Sequence, residues 1–545
     1  MTAAELILTG GVVHTLDPAR PAATALAAGG GRILAVGGDD EIAAWRGPGT
    51  RVVALRGRTV IPGINDAHLH LAMWAISRPP YQADLRPLTS LAQVGDAVAA
   101  QARRTPPGRW AVGRGWTLPG IAEFASGNRL PTRHDLDEAA PEAPVFCWHR
   151  SEHAAWVNTR ALQLAGITRD TPDPDGGEIV RDPRTGEPTG YLVEAAAHLV
   201  ARHVPEPAEQ TWREAIAVAA EELNRRGVTS VTDPMVSPEL LSRYAGMRGE
   251  LPLRLGVLLH WTGTGDANHA GTIREAMRWS GSVSGLGDHS LRVAGVKLFA
   301  DGIPVLRTSW MYEPFRGGGC GHAVIAADDP AAELAEMVEL LHRHRFRIGV
   351  HATGDRACDA VARAYEAAHK ADPWPARHHL IHASLLSAET ARELAALDVT
   401  VSTNSLIKWQ ATDALDAVFD EAANAYHNPV ATLLDAGLHV ADASDAPITD
   451  PDWRRGVQTL VTRRVQGSGR VSGPGERVSR LAALRAWTSE GAYQDGLEDE
   501  KGTLVPGRLA DLAVLGADPL TVPEEDLHAV PVEMTVLGGR IVHQS

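Results

Sequence analysis

Two histidines separated by one residue, His68 and His70, end an apolar run that begins at Thr59. In a buried strand side chains alternate between faces, so these two imidazoles would point to the same side. Such a pair can hold one side of a metal ion, and a catalytic ion also needs further ligands and a position for water. By itself the pair is a weak signal, because paired histidines on strands are often core or surface residues. The other ionisable residues decide between these alternatives.

Further ionisable residues stand at the ends of other apolar stretches that are predicted to be buried strands. They are Lys297, His351, His382 and Asp445. These are nitrogen and oxygen ligand types that suit zinc, manganese, nickel or iron, and no sulfur lies among them. One such residue alone would more simply be a core residue. Six candidates together, His68 and His70 included, favour a metal site.

The elements that position these residues alternate between helices and buried strands. Residues 212–226 are predicted to form a helix with one apolar face, which Gly227 ends, and residues 228–233 follow as a strand. The same pair of elements recurs along the chain and gives eight strands when counted from Thr59. This pattern predicts an α/β fold, a (β/α)8 barrel of the TIM type, over residues 59–494. In such a barrel the reactive groups lie at the C-terminal ends of the strands, where the candidates are found.

The two ends of the chain share a different pattern, made of short strands and glycine pairs such as Gly10-Gly11. Glycine pairs between apolar runs are typical of tight hairpin turns. We therefore predict one small β-sandwich domain that is built from both termini, residues 1–58 and 495–545. Two unrelated β-decorations are the alternative.

One interval is too long for a simple barrel, because residues 71–207 far exceed the length of one crossover helix. A long unstructured loop inside a compact domain is uncommon, so this interval is predicted to be a large insertion after the first barrel strand. Its tryptophans can form a core of their own. The insertion could also cover the site.

Composition excludes several classes of protein. The formal charge of −15 and the sequence pI of about 5.8 leave no basic surface for nucleic acid or an anionic membrane. Three scattered cysteines argue against a disulfide framework, and we find neither a signal peptide nor an apolar run long enough to span a membrane. We therefore expect a cytoplasmic protein with a small-molecule substrate, and we leave a homodimer open.

As a set, the motifs around these candidates resemble those of the amidohydrolase superfamily, and within it the family-3 branch that contains N-substituted formamide deformylases. The resemblance extends over nearly the whole chain. It rests on residues 62–70, 296–302, 351–355, 444–447 and 501–511, together with residues 130–137 and 153–158 in the insertion. It implies a metal-dependent hydrolase.

The resemblance implies a site for up to two divalent ions, with zinc as the first choice. Carried over by position, the ligands of the two ions would be His68, His70 and Asp445 for one, and His351 and His382 for the other. Lys297 would bridge both ions after reacting with CO2, because a carbamate is a carboxylate whereas an ammonium group has no lone pair. A hydroxide between the ions would attack an acyl carbon, and Asp445 would act first as general base and then as general acid.

Three further residues are candidates for contact with the substrate, namely His153 and Trp156 in the insertion and Arg307 after the strand of Lys297. Groups that are expected to orient the ligands are Asp66, Asp301 and Asp355. Asp442, His378 and His379 are expected to be structural.

The chain departs from the usual pattern of the branch at two places where substrate should lie. These are residues 303–310 and the pair Asn404-Ser405, where a glutamine and a proline are common. The predicted function is hydrolysis of a carbon–nitrogen bond in an amide, an N-formyl group or a cyclic amide by a metal-bound hydroxide. A deaminase or an ester hydrolase on the same metal barrel is one alternative, and a non-catalytic scaffold is another. Retention of all six candidate ligands argues against the scaffold.

Overall fold

A computed structural model describes residues 3–106, 108–125, 129–174, 176–261, 269–325 and 327–545 of the 545-residue chain. The described residues form two compact units. Unit 1 contains residues 3–70 and the described part of the chain from Ala217 to Ser545, and unit 2 contains Leu71–Ile216.

The strands are numbered in chain order. The N-terminal strands are β1 (Leu6–Thr9), β2 (Val12–His14), β3 (Ala22–Ala23), β4 (Ala25–Gly29), β5 (Arg32–Gly37), β6 (Arg51–Ala54), β7 (Thr59–Pro62) and β8 (Ile64–Asp66). The strands of unit 2 are β9 (Ala83–Asp84), β10 (Ala111–Trp116), β11 (Val145–His149), β12 (Ala154–Val157), β13 (Gly177–Arg181) and β14 (Pro188–Glu194). The remaining strands of unit 1 are β15 (Val228–Val236), β16 (Arg254–Leu259), β17 (Leu291–Phe299), β18 (Ile348–Ala352), β19 (His379–His382), β20 (Thr400–Thr403), β21 (His439–Asp442), β22 (Leu512–Leu515), β23 (Val532–Leu537) and β24 (Arg540–Gln544).

The helices follow the same order. Up to the end of unit 2 they are α1 (Asp39–Ala43), α2 (Leu71–Ile76), α3 (Leu91–Arg104), α4 (Ala122–Ala125), α5 (Arg133–Asp137), α6 (Thr159–Leu164), α7 (Ala195–Ala201) and α8 (Glu209–Arg225), the last of which continues into unit 1. The later ones are α9 (Pro238–Gly246), α10 (Ala270–Ser280), α11 (Pro330–Arg343), α12 (Asp355–Ala371), α13 (Ala388–Ala395), α14 (Ser405–Leu415), α15 (Glu421–Tyr426), α16 (Val430–Asp435), α17 (Trp453–Thr462), α18 (Arg480–Ala486) and α19 (Ser489–Asp495). Short 3-10 helices occupy Pro304–Leu306, Pro474–Glu476 and Glu524–Ala529. Within the described ranges, every helix is too short or too polar to cross a bilayer.

Eight parallel strands of unit 1 form a nearly closed barrel in the order β8-β15-β16-β17-β18-β19-β20-β21, which confirms the predicted TIM-type barrel. Strands β18, β19 and β20 are buried along their whole length, as expected where helices cover a parallel sheet. The two edge strands approach each other beyond their C-terminal ends. There Asp445 N donates to the carbonyl oxygen of His68 at 2.8 Å, and His70 N donates to that of Ala446 at 3.0 Å. These loops join the two edges of the barrel at the end that contains the candidate ligands.

Unit 1 has two further sheets, and the second of them combines strands from both ends of the chain. The first has the order β5-β4-β1-β6 and the second the order β24-β23-β22-β7-β2-β3. Apolar side chains from both sheets form one core, which includes Leu8, Leu26, Val60, Val514 and Val536. The N-terminal strand β7 pairs with the C-terminal strand β22, so the two ends of the chain fold together.

The stretch from Thr59 to His70 is divided, whereas the sequence predicted one strand that ends in both histidines. Strand β7 pairs with β2 and β22, and β8 is the first strand of the barrel. The chain passes between the two sheets at Gly63, where a Cβ atom would lie 2.2 Å from Oγ1 of Thr229 and only glycine fits. His68 and His70 lie in the loop after β8. The alternation of side chains in a strand is therefore not what brings the two imidazoles together.

Unit 2 contains a six-stranded sheet in the order β13-β14-β12-β11-β10-β9. Strands β9, β10 and β11 are parallel, whereas β12, β13 and β14 pair in antiparallel fashion. Its core includes Phe124, Leu136, Trp116 and Trp156. The boundaries that the sequence predicted for the three domains stay a prediction.

Candidate metal centre

His68, His70 and Asp445 lie where the first and last strands of the barrel meet. The Nε2 atoms of His68 and His70 are 3.4 Å and 3.2 Å from Oδ1 of Asp445. These separations exceed the ~2.7–2.9 Å of a charge-assisted hydrogen bond. Two ligands of a tetrahedral zinc ion lie about 3.4 Å apart when each bond is about 2.1 Å long. Each imidazole is therefore spaced from the carboxylate as a second ligand of one ion would be.

His382 completes the most compact group of candidate ligands. One ligand atom from each of His68, His382 and Asp445 lies within 4.8 Å of the other two, and all three residues are buried. The backbone is left-handed at His382, with φ 72°, and at Asp445, with φ 55°. Residues other than glycine adopt this conformation at a cost in energy, and such strain is concentrated at functional sites.

His351 lies beside His382, and the centroids of the two rings are 4.6 Å apart. Its Nε2 atom is 2.9 Å from the carbonyl oxygen of Gly302. A carbonyl oxygen can only accept, so Nε2 is the donor, and in the neutral ring Nδ1 carries the lone pair. Nδ1 is therefore the atom of His351 that can bind a metal ion.

Lys297 is buried on β17, and Phe299 stands two residues further along, on the same face of the strand. The centroid of the Phe299 ring is 4.6 Å from Nζ of Lys297. Burial lowers the pKa of Lys297 to about 7, against the opposing effect of the Asp445 carboxylate. A large fraction of this amine is therefore neutral near pH 7.

The surroundings also set the charge of His68, His382 and Asp445. Burial lowers the pKa of His68 well below its usual range and that of His382 to about 4, so both rings are neutral at pH 7. Burial alone would raise the pKa of Asp445, but the facing imidazoles of His68 and His70 outweigh it and hold that pKa well below its usual range. The Asp445 carboxylate thus lies near the neutral imidazoles of His68 and His382, and these are the protonation states that metal binding requires.

Buried carboxylates connect the loops around this group. Asp66 accepts from Ser444 N at 3.0 Å, and Asp442 accepts from Ser405 N at 2.9 Å. Asp301 accepts from three backbone N–H groups at 2.8–3.0 Å, those of Trp310, Thr353 and Gly354. Burial raises the pKa of Asp66 and of Asp301 to about 7. These contacts hold the segments next to Asp445 and His351 in place.

The three residues predicted to contact substrate occupy different surroundings. Arg307 is exposed, and its guanidinium donates to the carbonyl oxygen of Ala417 at 3.2 Å, which ties two loops of unit 1 together. In unit 2, Trp156 is buried within the core, whereas His153 is partly exposed and its Nδ1 is 2.8 Å from Oε2 of Glu194. The placement of Trp156 fits the alternative that the tryptophans of the insertion form its core. Substrate contact by any of the three stays a prediction.

Sequence reasoning missed His260 and Phe299, which lie at the same end of the barrel. His260 follows β16, and its Nδ1 atom is 3.5 Å from the carbonyl oxygen of Lys297. Its ring centroid is 5.5 Å from that of Phe299, which is 5.3 Å from that of His351. Both residues left a signal, because His260 ends an apolar strand and Phe299 shares a face with Lys297.

The residues present fit a divalent metal ion. Their donors are buried imidazole nitrogens and carboxylate oxygens, at spacings that one ion can span. The structure brings together four of the six predicted ligands, His68, His70, His382 and Asp445. The other two, His351 and Lys297, lie next to them. The assignment of each ligand to one or the other ion stays a prediction.

Comparison with known proteins identifies relatives of the chain. The model of a family described as "Amidohydrolase family" matches residues 51–543 of the chain. The chain is also similar to an N-substituted formamide deformylase of Arthrobacter pascens. The two are 30% identical over 548 residues, which cover 98% of this chain and 97% of the relative.

Two solved structures with a similar fold are described as uncharacterized metal-dependent hydrolases. An uncharacterized metal-dependent hydrolase of Pyrococcus furiosus is 25% identical, with a TM-score of 0.73 over 95% of this chain and all (100%) of that chain. An uncharacterized metal-dependent hydrolase of Pyrococcus horikoshii OT3 has a TM-score of 0.76 over 95% of this chain and 99% of that chain, at 22% identity. The second likeness concerns the fold alone.

Proposed function

Because the chain belongs to the amidohydrolase family, we propose that it is a hydrolase that cleaves a carbon–nitrogen bond of an amide, an N-formyl group or a cyclic amide. The observation that supports this most is the approach of the His68, His382 and Asp445 ligand atoms to within 4.8 Å of one another. Burial of two neutral imidazoles against a carboxylate lowers the stability of the fold. Such a cost is expected at a functional site and is not expected in a non-catalytic scaffold.

In this proposal the site holds up to two divalent ions, zinc first. Their ligands are His68, His70 and Asp445 on one side and His351 and His382 on the other, with Lys297 shared as a carbamate formed from CO2. A neutral amine reacts with CO2 whereas an ammonium ion does not, and the lowered pKa of Lys297 supports this modification. When bound, such ions lower the pKa of water and polarise a carbonyl group.

Residues of the chain supply proton transfer and substrate orientation. The carboxylate of Asp445 is ionised at neutral pH, so it can accept a proton from the attacking water and pass it to the leaving nitrogen. Phe299 is partly exposed and presents an apolar ring beside Lys297. An uncharged group of the substrate fits against this ring, because a charged group would lose its hydration there.

The class of substrate to test first is the N-formyl amines. The relative of Arthrobacter pascens is named as a deformylase of N-substituted formamides, and it matches this chain over nearly its whole length. A deaminase or an ester hydrolase on the same barrel is the alternative. The products separate these reactions, since an amidase releases an amine and a carboxylate, a deaminase ammonia, and an esterase an alcohol.

The experiment combines metal analysis with a substrate panel. Purified protein is analysed for bound metals, treated with a chelator, and assayed before and after zinc is added back. The panel contains N-formyl amines, N-acyl amines, cyclic amides, amidines and esters of matched size. We expect metal-dependent release of amine and carboxylate in equal amounts. Full activity of metal-free protein would contradict the proposal, and so would turnover confined to amidines or esters.

Three expectations about the surroundings of the protein stay predictions from the sequence. They are a cytoplasmic location, a small-molecule substrate without nucleic acid or membrane partners, and a homodimer as one candidate oligomeric state. Size-exclusion chromatography with light scattering measures the last of these.

A further inference from the structure

We propose that Asn404 is a positioning residue that determines which nitrogen of His382 binds metal. The inference rests on the proposed metal-dependent function. Asn404 follows β20 directly, begins the turn into α14 and is buried. It also occupies a place where the sequence departs from the usual pattern of its branch, so its role has to be derived from its own contacts.

Two hydrogen bonds fix the orientation of the Asn404 amide. The first joins Nδ2 to the carbonyl oxygen of Ala443 at 3.2 Å. Because a carbonyl oxygen only accepts, the amide nitrogen must face Ala443, and the amide oxygen must then face the other way. The second bond joins that oxygen, Oδ1, to Nδ1 of His382 at 2.6 Å.

The second bond decides the tautomer of His382. An amide oxygen has no hydrogen to donate, so Nδ1 of His382 is the donor and carries the proton. The opposite atom, Nε2, is left with its lone pair and can bind a metal ion. Without Asn404 the neutral ring could place its proton on either nitrogen, and part of the protein would present an N–H group to the ion.

Asn404 also fixes the direction of the His382 ring relative to another ligand. Its anchor, Ala443, lies two residues before Asp445, and His382 is the last residue of β19, where the backbone is left-handed. The strand geometry of β19 therefore does not by itself hold the ring, and the side chain of Asn404 links it to the segment of Asp445. Partners of this kind typically contribute about 10- to 100-fold to metal affinity.

The test measures zinc affinity of the full-length protein. Metal-free wild type and Asn404→Leu are titrated with zinc in competition with a chromophoric chelator, after circular dichroism has established that both fold. We expect Asn404→Leu to bind one zinc ion about 10- to 100-fold more weakly. The matched control is Thr403→Val, one residue before Asn404. It removes a buried hydroxyl that accepts a hydrogen bond from Asn428 Nδ2. This variant should bind zinc as wild type does.

A third variant separates positioning from packing. Asn404→Asp keeps an oxygen that accepts from His382 but adds a buried charge, whereas Asn404→Leu fills a similar volume without an acceptor. Positioning predicts that Asn404→Asp binds zinc more tightly than Asn404→Leu, and packing predicts the reverse order. If the aspartate variant does not fold, Asn404→Gln replaces it, because its amide oxygen also accepts from an imidazole; if the leucine variant does not fold, Asn404→Ala replaces it.

The outcomes also separate this inference from the proposed function. Wild type that binds no zinc contradicts the proposed function itself. Wild type that binds zinc, with Asn404→Leu binding it equally well, overturns the role of Asn404 alone. The reverse order of the aspartate and leucine variants overturns it as well. A further readout is catalysis at saturating zinc, where we expect kcat of Asn404→Leu to fall more than KM rises.

Discussion

Lys297 and Lys501 are both buried in unit 1, yet their surroundings differ in kind. Nζ of Lys501 is 2.7 Å from Oδ2 of Asp495 and also donates to Ser230, and Asp495 accepts from two further polar side chains. Among the described residues no carboxylate pairs with Lys297, whose Nζ lies beside the ring of Phe299. One buried lysine is fully paired, and the other is not.

The difference separates a lysine that holds segments together from a lysine that is available for reaction. A paired buried charge is stabilised by its partner, whereas an unpaired buried amine loses its proton. The chain has only four lysines among its 52 lysine and arginine residues, and Lys370 is the exposed one. The proposed carbamate on Lys297 predicts that arginine does not replace this lysine, because a guanidinium group stays protonated and does not form a carbamate.

The largest expected effect follows from removing the unpaired lysine. Lys297→Ala should lose bound metal and reduce kcat/KM by more than about 100-fold. Loss of a residue that only contacts a metal ligand typically costs up to about 100-fold, and loss of a ligand should cost more. Short carboxylic acids added to this variant should restore part of the activity by standing in for the carbamate. Metal content and kinetics are measured together. A Lys297→Arg variant with native metal content and rate would show that no modified lysine is needed.

The next effect concerns the proton rather than the metal. Asp445→Asn keeps the size of the side chain and an oxygen ligand but cannot accept a proton at neutral pH. We expect kcat to fall by ~10²–10⁴ while KM and metal content change little. The structural alternative is an aspartate that only caps the turn at Pro447, which asparagine would do equally well. Near-native kcat in the presence of both metals would favour that alternative.

Removing the paired lysine should affect stability and leave chemistry intact. Lys501→Met leaves Asp495 buried without its cation and should lower the free energy of unfolding by about 3–5 kcal/mol. Below the unfolding temperature, kcat and metal content should stay at the wild-type level. Lys370→Met, at an exposed ion pair with Glu366, is the matched control and should change little. Loss of metal from folded Lys501→Met would contradict the claim that Lys501, unlike Lys297, contributes only to stability.

The smallest effect is the pH dependence of that stability difference. Burial alone would raise the pKa of Asp495, but Lys501 and neighbouring hydrogen bonds lower it below its unfolded value. A group with a lowered folded pKa contributes stability above its unfolded pKa, about 3.9, and loses it as pH falls through the folded pKa. Without Lys501 the pKa of Asp495 is higher, so the variant regains stability as this carboxyl takes up a proton. The difference in free energy of unfolding between metal-free wild type and metal-free Lys501→Met should therefore narrow as the pH falls toward and below about 4. Urea unfolding at several pH values measures it, and a gap that widens in acid would contradict the assigned pairing.

The sequence predicted the barrel well because its strands are buried on both faces and its helices have one apolar face. Strand β15 begins at the predicted residue, Val228, and extends three residues beyond the predicted end at residue 233. The division of residues 59–66 between two sheets could not be predicted in the same way. Both β7 and β8 are short apolar runs, and the break at Gly63 depends on Thr229, which is distant in sequence.

The candidate ligands could be predicted because each ends an apolar stretch in a fold that gathers strand ends. The contacts that hold them could not, because they join residues far apart in the chain. The pairing of His382 with Asn404 and the bond between Asp66 and Ser444 depend on side-chain directions in loops after the strands. Loop geometry of this kind has no periodicity, so no pattern in the sequence indicates it.

The pairing of β7 with β22 affects the order in which parts of the chain can fold during synthesis. A ribosome releases the N-terminal end first, so β7 emerges long before its partner Leu512–Leu515 exists. One edge of β7 stays open until nearly the last residues have been synthesised, and an open edge is a place where strands of other chains can add. The segment that leads from β7 through Gly63 to His68 is thus secured late. Assembly of the metal centre should accordingly follow completion of the chain rather than accompany synthesis of the barrel.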